Sequence, residues 1–334
     1  MKTVLNRRRF LTALPSAGAL GLLGSVNTLA QAAPPETTRL RLTKSPSICW
    51  APQYISERML RSEGFTDISF VDLPGGDVPV RLSAGDADIS MNFVGPNIIR
   101  VDAGDPVVFL GGVHVGCFEV FGGERVKRIT DLKGKVASIS AVNGADHVFF
   151  ATIAAHVGLD PRKDINWQTN SPQESIRLFG EGKVDAIIAF PPVAQELRAK
   201  RMGHVMINSS TDRPWSQYYC CLLATSREFV RKNPIATKRA MRAILKSADF
   251  CATEPAMTAD RIVELGFARR SDYARQALQE IAYNNWREYD PENTIRFYAL
   301  RLHEAGMIKS NPNKIIAESA DWRFFNELKR ELKG

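Results

Sequence analysis

Short apolar runs alternate with amphipathic segments along the first two thirds of the chain. Apolar runs at 40–43, 68–72 and 89–93 are each followed by residues with helical spacing, and the same order returns from residue 136. Strands that alternate with helices in this way predict parallel sheets flanked by helices. The pattern therefore predicts an α/β protein with two β-α-β-α-β units.

An internal repeat supports the two units. Residues 85–93 (GDADISMNF) and 182–190 (GKVDAIIAF) share Gly, Asp and Phe at identical spacing. The glycine can end the preceding helix because it adopts positive φ without strain, and the proline that follows each strand suits the first turn of a helix. The remaining strand candidates are related by the same offset of about 96 residues. We therefore predict that the two units are built alike.

Two extended segments separate the units. Residues 107–121 contain a Gly-Gly pair and predict an extended segment that leaves the first unit, and residues 215–224 predict the return. From Arg227 onward, amphipathic helices without matching strands must pack on an existing lobe. We predict one lobe from 38–121 with 223–334 and a second from 122–222, joined by two crossings that can act as a hinge.

The N-terminal segment has the features of an export signal. Arg7-Arg8-Arg9-Phe10-Leu11 precedes a short Gly- and Ala-rich run, and Ala30-Gln31-Ala32 offers a peptidase site. This order predicts a twin-arginine signal over residues 1–32 and a periplasmic protein, and it disfavours a disordered basic tail. Without these residues the formal net charge falls from +8 to +4. A mild excess without basic-aromatic blocks does not indicate a nucleic-acid partner.

The sequence contains none of the catalytic or cofactor motifs that we sought. It lacks Gly-x-Ser-x-Gly, Walker, His-Glu-x-x-His and dinucleotide-binding patterns. The cysteines are odd in number and irregularly spaced, which favours small buried hydrophobes over a disulfide framework or a metal clip. They are Cys49, Cys117, Cys220, Cys221 and Cys251. We therefore predict a binding protein with no catalytic residues, cofactor, metal or structural disulfide.

Ligands of open parallel sheets bind beyond the carboxyl ends of the strands, and here these ends should face one another across the cleft between lobes. The candidate ligand-binding residues at these ends and on the crossings are Ser45, Ser47, Trp50, Gly76, Asn92, Phe93, His114, Asn143, Gly144, Asp146, His147, Phe190, Trp215 and Tyr218. Each has a structural alternative. The two phenylalanines could be core, and the two asparagines could cap turns. His147 could be a solvated or core histidine, and Trp215 and Tyr218 could simply pack on the hinge.

Several of these features together resemble a known family. The Gly-x-x-Asp strand motifs, residues 131–135 (DLKGK), the helix start at 144–147 and the helical C-terminal half are similar to nitrate/sulfonate/taurine-type periplasmic binding proteins of ABC importers. The resemblance implies a two-lobed type II periplasmic-binding-protein fold that closes on a small-molecule ligand. It also implies delivery to a membrane permease with its ATPase. We expect a monomer.

One departure from the family concerns the ligand. Anion-binding relatives commonly follow the turn glycine with Ser or Thr, whereas this chain has Gly144-Ala145-Asp146. A carboxylate there repels an anion and competes for the helix amides, so we predict a small organic ligand with an apolar or aromatic body and a neutral or cationic group. The same superfamily includes a pyrimidine-synthesising branch of thiamin formation. An enzyme of that kind is the alternative, which the export signal disfavours.

Overall fold

The computed structural model describes residues 33–45, 47–73 and 77–333, and these residues form two five-stranded sheets. The strands are β1 Arg39–Thr43, β2 Asp67–Val71, β3 Ile89–Phe93, β4 Val107–Val115, β5 Glu119–Gly122, β6 Lys135–Ile139, β7 Ile165–Thr169, β8 Ala186–Ala189, β9 His204–Asn208 and β10 Tyr219–Ser226. The predicted signal segment, residues 1–32, lies outside the described residues.

Helices flank both sheets and make up most of the C-terminal part. They are α1 Ala51–Tyr54, α2 Glu57–Ser62, α3 Val78–Ser83, α4 Val94–Asp102, α5 Ala145–His156, α6 Pro172–Gly180, α7 Val193–Ala199, α8 Arg227–Lys232, α9 Pro234–Thr253, α10 Pro255–Glu264, α11 Ser271–Glu280, α12 Pro291–Glu304, α13 Pro312–Ser319 and α14 Arg323–Glu331. Short 3₁₀ turns occupy Ile48–Trp50, Ile129–Leu132, Trp215–Gln217 and Tyr283–Arg287. In this part of the chain, no helix has both the length and the apolarity that a membrane span requires.

The two sheets have equivalent topology. Their strand orders are β2-β1-β3-β10-β4 and β7-β6-β8-β5-β9. In each sheet four strands run in the same direction, and the single antiparallel strand, β10 or β5, is one that crosses over from the other half. The prediction of two lobes with mainly parallel sheets is confirmed.

The repeated aspartate ties two strands of each sheet together. The backbone N–H of Asp88 donates to the carbonyl of Arg41 (2.8 Å), and its carboxylate accepts from the Arg41 N–H (2.7 Å). Asp185 makes the same pair of bonds with Val136, at 2.8 and 2.9 Å. Both motif glycines have positive φ, as predicted for helix caps: Gly85 and Gly182. The sequence repeat therefore marks a structural clamp that each lobe carries once.

Strand pairing corrects the predicted boundaries in two places. Residues 119–121 belong to β5, which pairs with β8 and β9, so they lie in the second sheet rather than the first. Residues 219–222 belong to β10, which lies between β3 and β4 in the first sheet. An apolar run shows that a segment is extended, but it does not show which sheet receives it. The crossings between the sheets are therefore residues 116–118 and 209–218.

The amphipathic segment after β1, whose pattern predicts one helix over about 52–61, forms two helices, α1 and α2. Ile55 and Ser56 separate them, and the Ser56 hydroxyl donates to the carbonyl of Gln53 (2.7 Å). A serine that bonds the backbone three residues earlier competes with the regular helix ladder, which accounts for the break.

The C-terminal helices contact both lobes. Helices α13 and α14 pack on β4 of the first sheet and α9 packs on α1 and α2. Helix α12 reaches both α4 and α5, and α11 reaches α7, so the second lobe is also covered. The sequence prediction that these helices pack on one lobe is thus incomplete. One hydrophobic core continues from the first sheet through the interface into the second.

Candidate ligand-binding cleft

The carboxyl ends of the strands in the two sheets face each other. The loop after β1 reaches the loop after β8, where the Ile48 N–H donates to the Pro191 carbonyl (3.1 Å). Helix α4, which follows β3, packs on α5 of the second lobe at Gly95. A Cβ on Gly95 would overlap Val148 and would lie 2.8 Å from Phe93 Cε1. Because only glycine fits there, the two lobes are in close contact at this point.

Aromatic side chains fill the space between the lobes. The Phe93 and Phe149 rings are 5.6 Å apart, Phe149 and Trp215 are 5.3 Å apart, and Tyr218 stacks on Phe297 at 4.0 Å. We define the aromatic cluster as Phe93, Phe118, Phe149, Phe190, Trp215, Tyr218, Phe297 and Tyr298. The cluster brings together four aromatic residues predicted from the sequence.

The other four aromatic members were not predicted as site residues. Phe118 lies on the first crossing, and Phe149 is one of the buried residues of α5. Phe297 and Tyr298 lie on α12, in the C-terminal part that was assigned to one lobe. Its position on the crossing could have indicated Phe118 as a site residue. The register of α12 against α5 has no local sequence signal.

The Asp146 carboxylate accepts backbone hydrogen bonds near the start of α5. One carboxylate oxygen accepts from the Ser140 N–H, and the other accepts from the N–H of His147 (2.8 Å). The residue is 6% exposed. Backbone N–H groups at a helix start are the donors that bind anions in many proteins, and here the Asp146 carboxylate uses one of them, the His147 N–H. The N-cap of α5 is Gly144, as its position in the turn indicated.

His147 serves the turn before α5. The Asn143 N–H donates to His147 Nδ1 (3.0 Å), so this nitrogen carries no proton and the imidazole is neutral. Burial lowers the pKa of His147, against the opposing effect of Asp146. The ring packs edge-on against Trp167, with centroids 4.8 Å apart. Asn143 has a φ of 62°, so it stabilises a left-handed turn. These contacts favour the structural alternative for both residues.

The remaining candidates lie on the first-lobe side. The Ser45 N–H donates to the Tyr54 hydroxyl (3.1 Å), and the Ser47 hydroxyl contacts the Cys49 thiol (3.0 Å). Trp50 is buried in the 3₁₀ turn after β1, and Asn92 is 7% exposed on β3. Gly76 lies outside the described residues. His114 lies on β4 beside the cysteines.

Four of the five cysteines meet around His114, where β4 and β10 pair. The register places Cys221 opposite His114, and the ligand atoms of Cys49, His114 and Cys221 all lie within 4.8 Å of one another. The Cys117 and Cys220 sulfurs are 3.2 Å apart. We define these five residues as the cysteine–histidine cluster. The sequence treated the cysteines as separate because they lie far apart in the chain, and the pairing of β4 with β10 brings them together.

The residues of the cysteine–histidine cluster shift one another's pKa values. Burial opposes ionisation, but the neighbouring thiols of Cys117 and Cys221 and the His114 imidazole hold the pKa of the Cys49 thiol well below its ordinary value. Burial also acts against a charged imidazole, yet the neighbouring Cys49 raises the pKa of His114. Burial and shared hydrogen bonds raise the pKa of Cys117 and of Cys221 well above the usual range.

A polar contact joins α7 to α11. Arg198 Nη2 lies 2.7 Å from a Glu280 carboxylate oxygen, and the Gln195 side-chain amide donates to the same oxygen (3.0 Å). The Glu119 carboxylate, on β5, lies 3.4 Å from Arg198 and is almost fully buried. Burial raises the pKa of Glu119, against the effect of Arg198. This group of charges links the second lobe to the C-terminal helices.

A surface cavity of about 460 Å³ lies on the second lobe, at the end of the sheet that faces away from the cleft between the lobes. Asp185 directly precedes β8 and Gly123 directly follows the antiparallel β5, so the cavity is at the amino ends of the parallel strands. Its lining also includes Phe179 and Arg201. The predicted ligand-binding site lies at the carboxyl ends of the parallel strands and does not coincide with this cavity.

Comparison with known proteins identifies the family. Residues 67–258, more than half of the chain, match the model described as NMT1/THI5 like. The chain belongs to the NMT1/THI5-like family. The resemblance inferred from the sequence is thus confirmed. No curated protein matches the chain.

Solved structures show the fold of this NMT1/THI5-like protein. The periplasmic nitrate-binding protein NrtA from Synechocystis PCC 6803 is 13% identical, with a TM-score of 0.75, and the alignment covers 90% of either chain. A protein of Bordetella bronchiseptica RB50 is 16% identical (TM-score 0.70; 89% of this chain and 98% of that one). The alkanesulfonate-binding protein SsuA from Xanthomonas axonopodis pv. citri, bound to MOPS, is 17% identical (TM-score 0.64; 82% and 95%). These similarities confirm the periplasmic-binding-protein fold.

Proposed function

We propose that this chain is the solute-binding component of an ABC importer. It captures a small organic molecule between its lobes in the periplasm and delivers it to a membrane permease with its ATPase. The observation that carries the proposal is the meeting of strand carboxyl ends from two equivalent sheets around the aromatic cluster. Nitrate- and alkanesulfonate-binding proteins have the same fold, which supports a binding protein over the alternative enzyme.

The start of α5 indicates the class of ligand. An inorganic anion would need donor groups at a helix start, where the Asp146 carboxylate already accepts from the His147 N–H and, through its other oxygen, from the Ser140 N–H just after β6. The aromatic cluster offers ring faces and edges, which bind apolar or aromatic bodies and attract cations. The ligand that fits both features has an apolar or aromatic body with a neutral or cationic polar group.

The ligand enters when the lobes separate. The residues between the sheets, 116–118 and 209–218, are the segments about which the lobes would rotate. Opening would break the bond between Ile48 and Pro191 and separate α4 from α5. Small-angle scattering should therefore show a smaller radius of gyration when a bound ligand is present than when it is absent. An unchanged radius under saturation contradicts hinge closure.

A thermal-shift screen tests the ligand class. Pyrimidines, aromatic amines, sulfonates, carboxylates and nitrate are compared, because a ligand at about 100 times its Kd adds about 2.7 kcal/mol of stability. For a chain of this size that should raise the Tm by several degrees. We expect an aromatic or cationic compound to give the largest shift.

Two variants connect the screen to Asp146. Asp146→Asn should weaken a cationic ligand and leave the binding of a neutral one nearly unchanged. Asp131→Asn is the matched control, because the Asp131 carboxylate also accepts from two backbone N–H groups but lies on the turn before β6. A large shift with nitrate or an alkylsulfonate that Asp146→Asn leaves unchanged refutes the ligand class. Turnover of a bound compound by the purified protein would instead favour the enzyme.

Export through the twin-arginine pathway is part of the proposal. Replacement of Arg7 and Arg8 by lysine should keep the protein in the cytoplasm, while Arg9→Lys should leave export intact. Cell fractionation measures the outcome. Normal amounts of the double variant in the periplasm would exclude this route.

A further inference from the structure

We propose that Cys49, His114 and Cys221 bind a thiophilic divalent metal ion of the zinc type. This site is separate from the proposed transport function, which requires no metal. It lies where the turn after β1 meets the paired strands β4 and β10. An ion bound there would join three segments of the first lobe at the floor of the cleft.

The ligand atoms are close enough to share one ion. The two thiol sulfurs and the imidazole nitrogen lie within 4.8 Å of one another. A zinc ion binds sulfur at about 2.3 Å, so two sulfurs on one ion can be at most about 4.6 Å apart. Small rotations of the side chains satisfy this limit. Thiolates and imidazole are the ligands that zinc and related ions prefer.

The imidazole of His114 is oriented for a ligand. Its Nδ1 lies 3.3 Å from the Val115 carbonyl, which can only accept, so Nδ1 carries the proton and Nε2 keeps its lone pair. Within the described chain, Nε2 is buried without a hydrogen-bond partner. A metal-bound histidine characteristically donates its other N–H to a carbonyl or carboxylate. The buried, unpartnered nitrogen is thus an independent observation that points to a ligand.

Charge balance favours a divalent ion. Burial of a net charge is costly, and each ligand residue of the site is nearly inaccessible to solvent. The two negative charges of the thiolates balance the charge of a 2+ ion and the imidazole adds none, whereas a monovalent ion would leave one negative charge buried. The neutral complex is therefore the form that the interior accommodates best.

The surroundings hold the three ligands in place. The Tyr283 hydroxyl donates to the Cys49 carbonyl (3.0 Å), and its ring packs edge-on against His114 at 5.3 Å. These contacts orient the ligands as supporting residues do in known metal sites.

Wild-type protein provides the first test. Reduced, metal-free full-length protein is titrated with Zn²⁺ against a chromogenic chelator, and Co²⁺ is used as a spectroscopic probe. We expect one ion per chain and sulfur-to-cobalt charge-transfer absorption. X-ray absorption of the zinc form should show sulfur ligands at about 2.3 Å and nitrogen at about 2.0–2.1 Å. Absence of zinc binding, or a spectrum without sulfur ligands, overturns the proposal.

Matched variants provide the second test. Cys221→Ser should weaken Zn²⁺ binding at least about 100-fold, since even supporting residues change metal affinity by about 10–100-fold. Cys251→Ser is the control, because Cys251 is equally buried but lies on α9 outside the cluster. Zinc should raise the Tm of the wild type and of the control only. Equal affinity in both variants, or a disulfide at Cys49 or Cys221 in protein isolated from the periplasm, refutes the site.

Discussion

The contact between Gly95 and Val148 predicts that a single methyl group can hold the lobes apart. Gly95 lies in the first turn of α4, and a Cβ there would overlap Val148 of α5. In an isolated helix, Gly95→Ala would be stabilising by about 0.8–1 kcal/mol because alanine has the higher helix propensity. Any loss of stability in the closed form must therefore come from the contact across the lobes.

The expected magnitude follows from the cost of overpacking. An extra methyl group in a tightly packed interior costs about 1–3 kcal/mol. Val148 belongs to the other lobe, so opening relieves most of this cost without unfolding. The closed form of Gly95→Ala should lose about 5- to 150-fold in population relative to the open form. The affinity for any ligand that requires closure should fall by a similar factor.

Scattering and ligand binding measure this effect together. Gly95→Ala should have a larger radius of gyration than the wild type and a weaker affinity for the ligand found in the thermal-shift screen. The double variant with Val148→Ala should recover part of both, because it removes the overlapping methyl. Gly180→Ala is the control, since its Cβ would meet only the flexible end of Met202, at 2.9 Å, within one lobe.

A specific result would refute this reasoning. Phe93 Cε1 would also lie 2.8 Å from the new Cβ, and Phe93 is in the same lobe as Gly95. If Gly95→Ala lowers the Tm but leaves the radius and affinity unchanged, the strain is absorbed within the first lobe. If Val148→Ala then restores nothing, the contact between α4 and α5 does not control closure.

Two further predictions concern charged groups. Glu280→Gln removes the carboxylate closer to Arg198, which keeps its longer contact with Glu119. Because the Arg198–Glu280 pair is about one-third exposed, we expect a loss below about 1 kcal/mol, seen as ligand dissociation up to about fivefold faster. Stopped-flow measurement checks this result, with Glu292→Gln within α12 as a control that should have no effect. The lowered pKa of His147 means that the unfolded chain binds its proton first as the pH falls below about 6.5. The free energy of unfolding should then fall by up to about 1.36 kcal/mol per pH unit until the lowered pKa is reached. His147→Gln, which keeps an acceptor for the Asn143 N–H, should flatten this part of the urea-unfolding profile.

The strands and their repetition were predictable from the sequence because each depends on local patterns. The repeated aspartates occur at equal spacing because both make the same bonds to a neighbouring strand, as at Asp88 and Asp185. Asp146 was predicted to compete for the helix amides, and its carboxylate accepts from one of them, the His147 N–H. Sequence spacing is sufficient where a residue acts within its own turn or on the adjacent strand.

Features that depend on pairing between distant segments were not predictable. The order of the central strands decides that Cys221 lies opposite His114, and neither residue carries a local sign of the other. The same limit applies to Phe297, which reaches Tyr218 because α12 packs on the second lobe. The breaks between lobes were misplaced by a few residues for the same reason. Hydrophobic pattern identifies an extended segment but leaves its partner open.

The position of β10 has a consequence for synthesis of the chain on the ribosome. The second sheet is built from a continuous stretch, residues 119–208, and can be completed as soon as β9 has emerged. The first sheet lacks a central strand until residue 226 has been translated, although β1, β2 and β3 were made much earlier. Until then, the side of β3 that later pairs with β10 has unpaired backbone N–H and C=O groups. Such exposed strand edges promote aggregation. We therefore expect a chaperone to bind the nascent chain until β10 inserts between β3 and β4.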